Sequence, residues 1–203
     1  FLKLLLGIYN PSEGEIYLGS VPLSSVPPGE WRRCCGAVMQ DGYIFSDTIS
    51  ANIALSGDEP DPEDVRKAAR MANIEEFIES LPQKYETLIG NDGHGLSQGQ
   101  RQRILIARAI YKNPGFLFFD EATNALDAGN ESVIMGNLRS FFEGKTVVIA
   151  AHRLSTVKNA DQIVVLEGGR VVEQGTHSEL VSAGGKYYAL VGGQMESRES
   201  STL

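Results

Sequence analysis

The spacing of apolar positions changes along the chain. From about Asp61 to Lys112 they recur every three or four residues, as in helices that bury one face. Asp61 and Pro62 stand as cap and first turn of a helix to about Met71. Ile74 to Leu81 makes a second amphipathic helix, closed by Pro82. Ser97 caps a third that reaches about Tyr111, where Asn113-Pro114 stops it. From Phe116 onward the pattern becomes short, wholly apolar runs. Phe116 to Phe119 and Thr146 to Ala150 read as buried strands on either side of a helix from Asp127 to Phe142. That alternation implies a parallel sheet covered on both faces.

The flanks fill in the rest. Phe1 to Leu6 reads as the end of a helix stopped by Gly7, and Pro11 to Gly14 as a turn. Glu15 to Leu18 and Cys34 to Met39 read as strands, and Asp47 to Leu55 as a short helix. Asn91 to Gly95 is a glycine-rich loop. Beyond Ala150, Ser155 to Lys158 reads as a short helix. Gln162 to Leu166 and Arg170 to Gln174 form a hairpin across Gly168-Gly169, followed by helices at Ser178 to Val181 and Lys186 to Val191. The predicted fold class is α/β, a parallel sheet core with an inserted helical subdomain. Its predicted parts are residues 1–60, 61–112 and 113–203.

Composition narrows the function. The chain has 203 residues, 42% apolar and 22% charged, enough for a sizeable core. Its formal charge of −8 argues against a broad nucleic-acid footprint. Polyphosphate binding remains open, because such sites use local N–H groups and a few cations. No apolar stretch approaches the ~20 residues of a membrane-spanning helix. The adjacent Cys34 and Cys35 would point to opposite faces of a strand and read as reduced thiols.

The candidate chemistry lies at the predicted strand ends. Asp120 closes an apolar strand, where ligands collect in open α/β sheets, and its carboxylate suits Mg²⁺ held with phosphate oxygens. Glu121 is one residue further and could polarise a water. Ser97-Gln98-Gly99-Gln100 opens a helix, and free N–H groups there favour an anion. His152 follows the second strand and Gln40 follows the Gly36 to Met39 strand, so both emerge at the edge that carries Asp120. Arg101, Arg103 and Arg108 lie on the Ser97 helix, at least two of them on a solvated face. His94 and His177 read as surface or loop residues.

Together and in this order, these residues resemble the nucleotide-binding domain of ATP-binding cassette (ABC) transporters. Gln40 resembles the Q-loop and Leu96 to Gln100 the family signature. Phe116 to Asp120 resembles Walker B, with Glu121 as catalytic carboxylate. Ala125-Leu126-Asp127 is similar to the D-loop and His152 to the switch histidine. Asp47 to Ile53 and Thr87 to Gly93 resemble the exporter branch, whose surface near Asp47 to Ile53 meets the membrane domains.

The resemblance implies a P-loop NTPase-like fold, ATP and Mg²⁺, and hydrolysis that powers an exporter, with peptides or bacteriocins as a first guess for the cargo. It implies catalytic roles for Glu121 and His152 and metal contacts for Asp120 and Gln40. It implies ATP contacts for Ser97, Gly99, Gln100, Gln40 and Asp127. The implied partners are transmembrane permease domains and a second nucleotide-binding domain paired head to tail, with no nucleic acid. The implied location is the cytoplasmic face of the cell (inner) membrane, with these 203 residues themselves soluble. Gln98 stands where glycine is commonest, Asn91 where exporters usually carry Glu, and Asn124 where Ser is usual. The family's G-x-x-x-x-G-K-[ST] loop is not in the sequence, and Phe1 to Gly7 matches the helix that follows it. The chain therefore reads as incomplete at its N-terminus and inactive by itself. Two other readings are a soluble ABC ATPase of repair or translation and a catalytically dead interaction module. The first fits poorly, since about 57 positions between Gln40 and Ser97 hold no long coiled coil.

Overall fold

A computed structural model of the chain describes residues 1–55, 59–90, 93–121, 128–151 and 154–199. Two compact units divide it, Phe1–Ala150 and Ala151–Leu203.

The first unit is built on three parallel strands, Cys35–Val38, Phe116–Asp120 and Thr146–Ala150, with Phe116–Asp120 in the middle. Both faces of the middle strand are covered. Leu117 and Phe119 enter a core shared with Val38, Ile104, Ile134 and Leu138. Phe118 enters a second core with Leu2, Leu6, Trp31 and Cys35. A strand buried on both faces cannot alternate polar and apolar residues, which explains the unbroken Phe-Leu-Phe-Phe run.

Trp31 anchors the second core. Its ring lies 4.9 Å from that of Phe116, and its Nε1 donates to the Leu5 carbonyl at 3.0 Å. That carbonyl belongs to the last turn of the helix Leu2–Leu5. Gly7, at φ +65°, ends this helix as expected, with Ile8 N–H donating to Lys3 at 2.9 Å and Gly7 N–H to Leu4 at 3.0 Å.

The helices Pro62–Met71 and Gln98–Tyr111 begin where their caps predict. Asp61 Oδ1 accepts from Glu63 N–H at 2.9 Å, and Ser97 Oγ from Gln100 N–H at 3.2 Å. Between them, the helix Glu75–Ser80 is joined by a strand, Leu88–Ile89, which pairs antiparallel with Asp47–Thr48. The stretch 61–112 is therefore not wholly helical. Two-residue strands carry too little periodicity to read from sequence. The helix Pro28–Cys34, which sequence reasoning missed, runs into its strand without a break. Trp31 is its one residue classed as buried, so it shows no apolar stripe.

Two close approaches set the direction of Gln98–Tyr111 along the first strand. A Cβ on Gly36 would stand 2.7 Å from Pro114 and 3.6 Å from the Ala109 carbonyl. One on Gly42 would stand 2.3 Å from Leu105. Moving forward from Gly36 to Gly42 thus moves backward from Ala109 to Leu105. The helix runs antiparallel to the strand, and its Ser97 end lies toward the strand's carboxyl end.

The second unit holds a hairpin, Ile163–Glu167 with Arg170–Gly175, turned at Gly168 (φ +57°) and Gly169 (φ +77°). Thr176 caps the helix His177–Ala183 in a reciprocal box with Glu179, whose carboxyl is held below its ordinary pKa by the Thr176 N–H. Glu173 accepts from Lys186 and Tyr187 N–H groups at the start of the helix Lys186–Glu199, which runs past the Val191 end expected from sequence. Ile163, Val165, Leu180, Tyr187 and Val191 form this unit's core.

The adjacent cysteines do not share a strand as expected: Cys34 ends the helix Pro28–Cys34 and Cys35 opens the strand, and their exposure differs. Cys34 is exposed, and Cys35 is buried in the Trp31 core, where desolvation pushes its thiol up to about 12. At pH 8 only about one Cys35 in ten thousand would be thiolate. Iodoacetamide should therefore label one thiol in the native chain at pH 8 and two after denaturation, counted by intact mass. Equal native labelling of both would place Cys35 outside the core.

Candidate functional site

Parallel pairing brings three candidate residues to one edge. Val38 is in register with Phe119, and Asp120 with Ala150, so the strands end together. Gln40 lies two residues beyond its strand and is exposed; Asp120 and Glu121 are half-buried. His152 and Asp127 lie outside the described residues, as do Asn91 and Asn124.

Glu121 leaves the sheet abruptly. Its N–H donates to the Ala150 carbonyl at 3.0 Å, which adds one rung to the ladder, while its φ is +49°. The left-handed region costs a residue with a Cβ about 1–2 kcal/mol. Such strain marks places where side-chain direction matters. Carboxylate and amide oxygens at this edge suit a hard cation such as Mg²⁺.

Ser97, Gly99 and Gln100 form a separate feature at the N-terminus of Gln98–Tyr111. Gln100 Oε1 accepts from Ser97 N–H at 2.8 Å, reciprocating the bond from Gln100 N–H to Ser97 Oγ. This box leaves the N–H groups of Gln98 and Gly99 without intrahelical acceptors and the Ser97 hydroxyl proton available to an anion. The Gln100 side-chain oxygen is committed to the box.

The arginines depart from expectation. Arg101 is exposed, but Arg103 and Arg108 are half-buried. Arg103 Nη1 donates to Asn130 Oδ1 at 3.0 Å, which also accepts from Asn73 at 2.9 Å. Arg108 Nε donates to the Asn52 carbonyl at 2.8 Å and Nη1 to the Tyr43 carbonyl at 2.9 Å. Burial lowers its guanidinium pKa to about 10. The signal was present, because Ile104 to Ile110 is apolar almost all round and leaves little room for a solvated face. Asn52, fully buried, was also missed; it stands among Ile49 and Ile53 on the buried face of its helix. Of the histidines, His94 is exposed beside Phe77, whereas His177 is half-buried with its Nδ1 2.8 Å from the Tyr187 hydroxyl.

Comparison with known proteins gives this geometry its family. Residues 1–124 match the family described as ABC transporter. The chain belongs to that family. It is 47% identical over 180 residues to the alpha-hemolysin translocation ATP-binding protein HlyB of Proteus vulgaris, covering 89% of this chain and 26% of that protein. It is 46% identical over 187 residues to the leukotoxin translocation ATP-binding protein LktB of Mannheimia haemolytica, covering 92% and 26%. The chain thus spans about a quarter of the length of these relatives. Among solved structures it resembles a bacterial Atm1-family ABC exporter with ATP bound, with a TM-score of 0.90, 41% identity, and coverage of 95% of this chain and 34% of that one. The α/β fold with a parallel sheet core is therefore that of an ABC ATPase. Among the described residues no helix is long and apolar enough to cross a membrane.

The left-handed φ of Glu121 makes a stability prediction. Glu121→Gly and Glu121→Ala both remove the carboxylate, and only glycine is at ease there. The glycine variant should be more stable than the alanine variant by about 1 kcal/mol, read from urea midpoints. Alanine equal to or above glycine would mean that the backbone is unstrained.

Proposed function

We propose that this chain is the ATP-binding and ATP-hydrolysing part of an exporter, and that its cargo is a secreted toxin or peptide. The observation that carries the reading is the shared strand edge, where Gln40, Asp120 and Glu121 emerge together. The toxin-translocation relatives favour the cargo class.

In this reading Glu121 is the general base. Its carboxylate takes a proton from water as that water attacks the γ-phosphorus in line, while the bond from that phosphorus to the β,γ-bridging oxygen breaks and ADP leaves. Asp120 and Gln40 would hold Mg²⁺. Mg²⁺ bound there would offset charge developing on the phosphate oxygens. His152 contacts the γ-phosphate, and Asp127 contributes from the D-loop. Ser97, Gly99 and Gln100 serve ATP held by a second nucleotide-binding domain, paired head to tail.

The second proposed partner is a pair of transmembrane permease domains, which would hold the chain at the cytoplasmic face of the cell membrane. Around Asp47 to Ile53, four large apolar side chains, Tyr43, Phe45, Leu55 and Leu88, are exposed. An apolar group of this kind on a water-facing surface favours a partner there.

Two outcomes are expected. In the full-length protein, Glu121→Gln should cut ATP turnover by roughly 10²–10⁴-fold while leaving ATP binding intact. Turnover at the unsubstituted rate would remove Glu121 as the base. The 203 residues alone hold no G-x-x-x-x-G-K-[ST] loop to cradle the phosphates. They should release no phosphate from ATP in a coupled assay. Activity that disappears with Glu121→Gln would overturn that expectation.

A further inference from the structure

The segment after Gln40 has little regular structure, yet side chains from two helices read its backbone. Leu105, on Gln98–Tyr111, fills the space beside Gly42, where a Cβ would come within 2.3 Å of it. One turn further along the same helix, Arg108 donates to the Tyr43 carbonyl at 2.9 Å. Its Nε donates to the Asn52 carbonyl at 2.8 Å, its Nη2 to Asn52 Oδ1 at 3.2 Å, and its guanidinium lies 5.6 Å from the Phe45 ring centre. Asn52 continues the hold. Its Oδ1 accepts from Phe45 N–H at 2.9 Å, and its Nδ2 donates to the Phe45 and Thr48 carbonyls, each at 3.0 Å. Arg108 thus donates to two carbonyls and one amide oxygen, on a segment and a helix that neither contain nor follow the Ser97 loop.

A half-buried cation satisfied by neutral dipoles is a costly way to support a fold, and an apolar side chain of similar size would often cost less. What the guanidinium adds is direction. Its planar fork fixes three acceptors in set directions, whereas the three donors of an ammonium sit on one freely rotating nitrogen. Arg108 lies about three turns from Ser97 on the same helix. It thus links the helix that presents Ser97 to the backbone that presents Gln40.

We propose that Arg108 is a positioning residue for ATP hydrolysis: it ties the Gln40 loop to the signature helix, so that Gln40 is correctly placed only when that helix is in place. This rests on the function proposed above. Arg108 touches neither nucleotide nor metal; it acts through Tyr43, Asn52 and the loop they hold.

The test is a double-substitution cycle in the full-length protein, with Arg108→Lys made alone and together with Gln40→Ala. Arg108→Lys keeps the charge and loses the fork. It should lower kcat by about tenfold and change the KM for ATP by less than about twofold, as misplacement of a catalytic group does. In the Gln40→Ala background it should have no further effect, because both changes remove one function. An equal loss in both backgrounds, or no loss in either, would overturn the proposal. Amide exchange separates this tie from general folding support. Residues 42–48 should exchange faster in Arg108→Lys while the Gln98–Tyr111 helix keeps its protection. Loosening of both together would also overturn it. Absence of turnover in the unsubstituted protein would count against the functional reading, while exchange would still test the tie itself.

Discussion

The candidate site depends on one register, that of Phe116–Asp120 between its two parallel neighbours. Successive side chains of this strand enter different cores, Leu117 and Phe119 on one face and Phe118 on the other. A slip of one residue would exchange the faces and put side chains of the wrong shape against Trp31 and Ile104. The same slip would move Asp120 relative to Ala150. Packing of the apolar residues therefore fixes where the first carboxylate leaves the sheet. The edge where Gln40, Asp120 and Glu121 meet follows from the two cores rather than from any attraction among the polar groups.

The Gln98–Tyr111 helix carries that order outward. Its apolar side chains complete the core over Leu117, and its contacts at Gly36 and Gly42 make it antiparallel to the first strand. Its polar side chains reach what apolar packing leaves loose. Arg108 holds the segment after Gln40, and Arg103 reaches Asn130 near the start of Ala128–Phe142. The loop at Gly90 adds to this framework. At φ +101° it passes so close to Phe45 and Ser46 that a Cβ would stand 2.8 Å from the Phe45 carbonyl. Segments of irregular backbone are thus placed by a regular helix, which a dry core alone would not achieve.

Much of this was legible from the sequence, for identifiable reasons. The Pro62 and Ser97 helices combine periodicity with a capping residue, two independent signals, and both begin where expected. The Phe116 strand is apolar up to Asp120 because it has a neighbour on each side and both faces covered; the Thr146 strand, at the sheet's edge among the described residues, is only half-buried, less than its apolar run suggests. Short elements with a single buried anchor, such as Pro28–Cys34, give no period to detect. The strand edge could be inferred from where apolar runs stop, but the turn at Glu121 could not, since no glycine or asparagine marks it. Arg108 and Asn52 were hidden for the opposite reason. Both are polar residue types usually found at the surface, and only their apolar neighbours on every side betray them.

The left-handed turn at Glu121 has a physical purpose that the strand itself makes plain. Had the strand continued with its alternation, residue 121 would have followed Leu117 and Phe119 into the core with Ile104 and Leu138. A carboxylate there would be desolvated among apolar side chains, at a cost of several kcal/mol or a forced protonation. Glycine would turn at that point without strain but would bring no carboxylate. Keeping glutamate means accepting about 1–2 kcal/mol of backbone strain. In return the side chain is swung off the ladder while its N–H still bonds to Ala150. Fold stability gives no reason to accept that cost, since a small residue with no charge to protect would serve the packing as well. The cost is accounted for if the direction of the carboxylate is what the turn preserves.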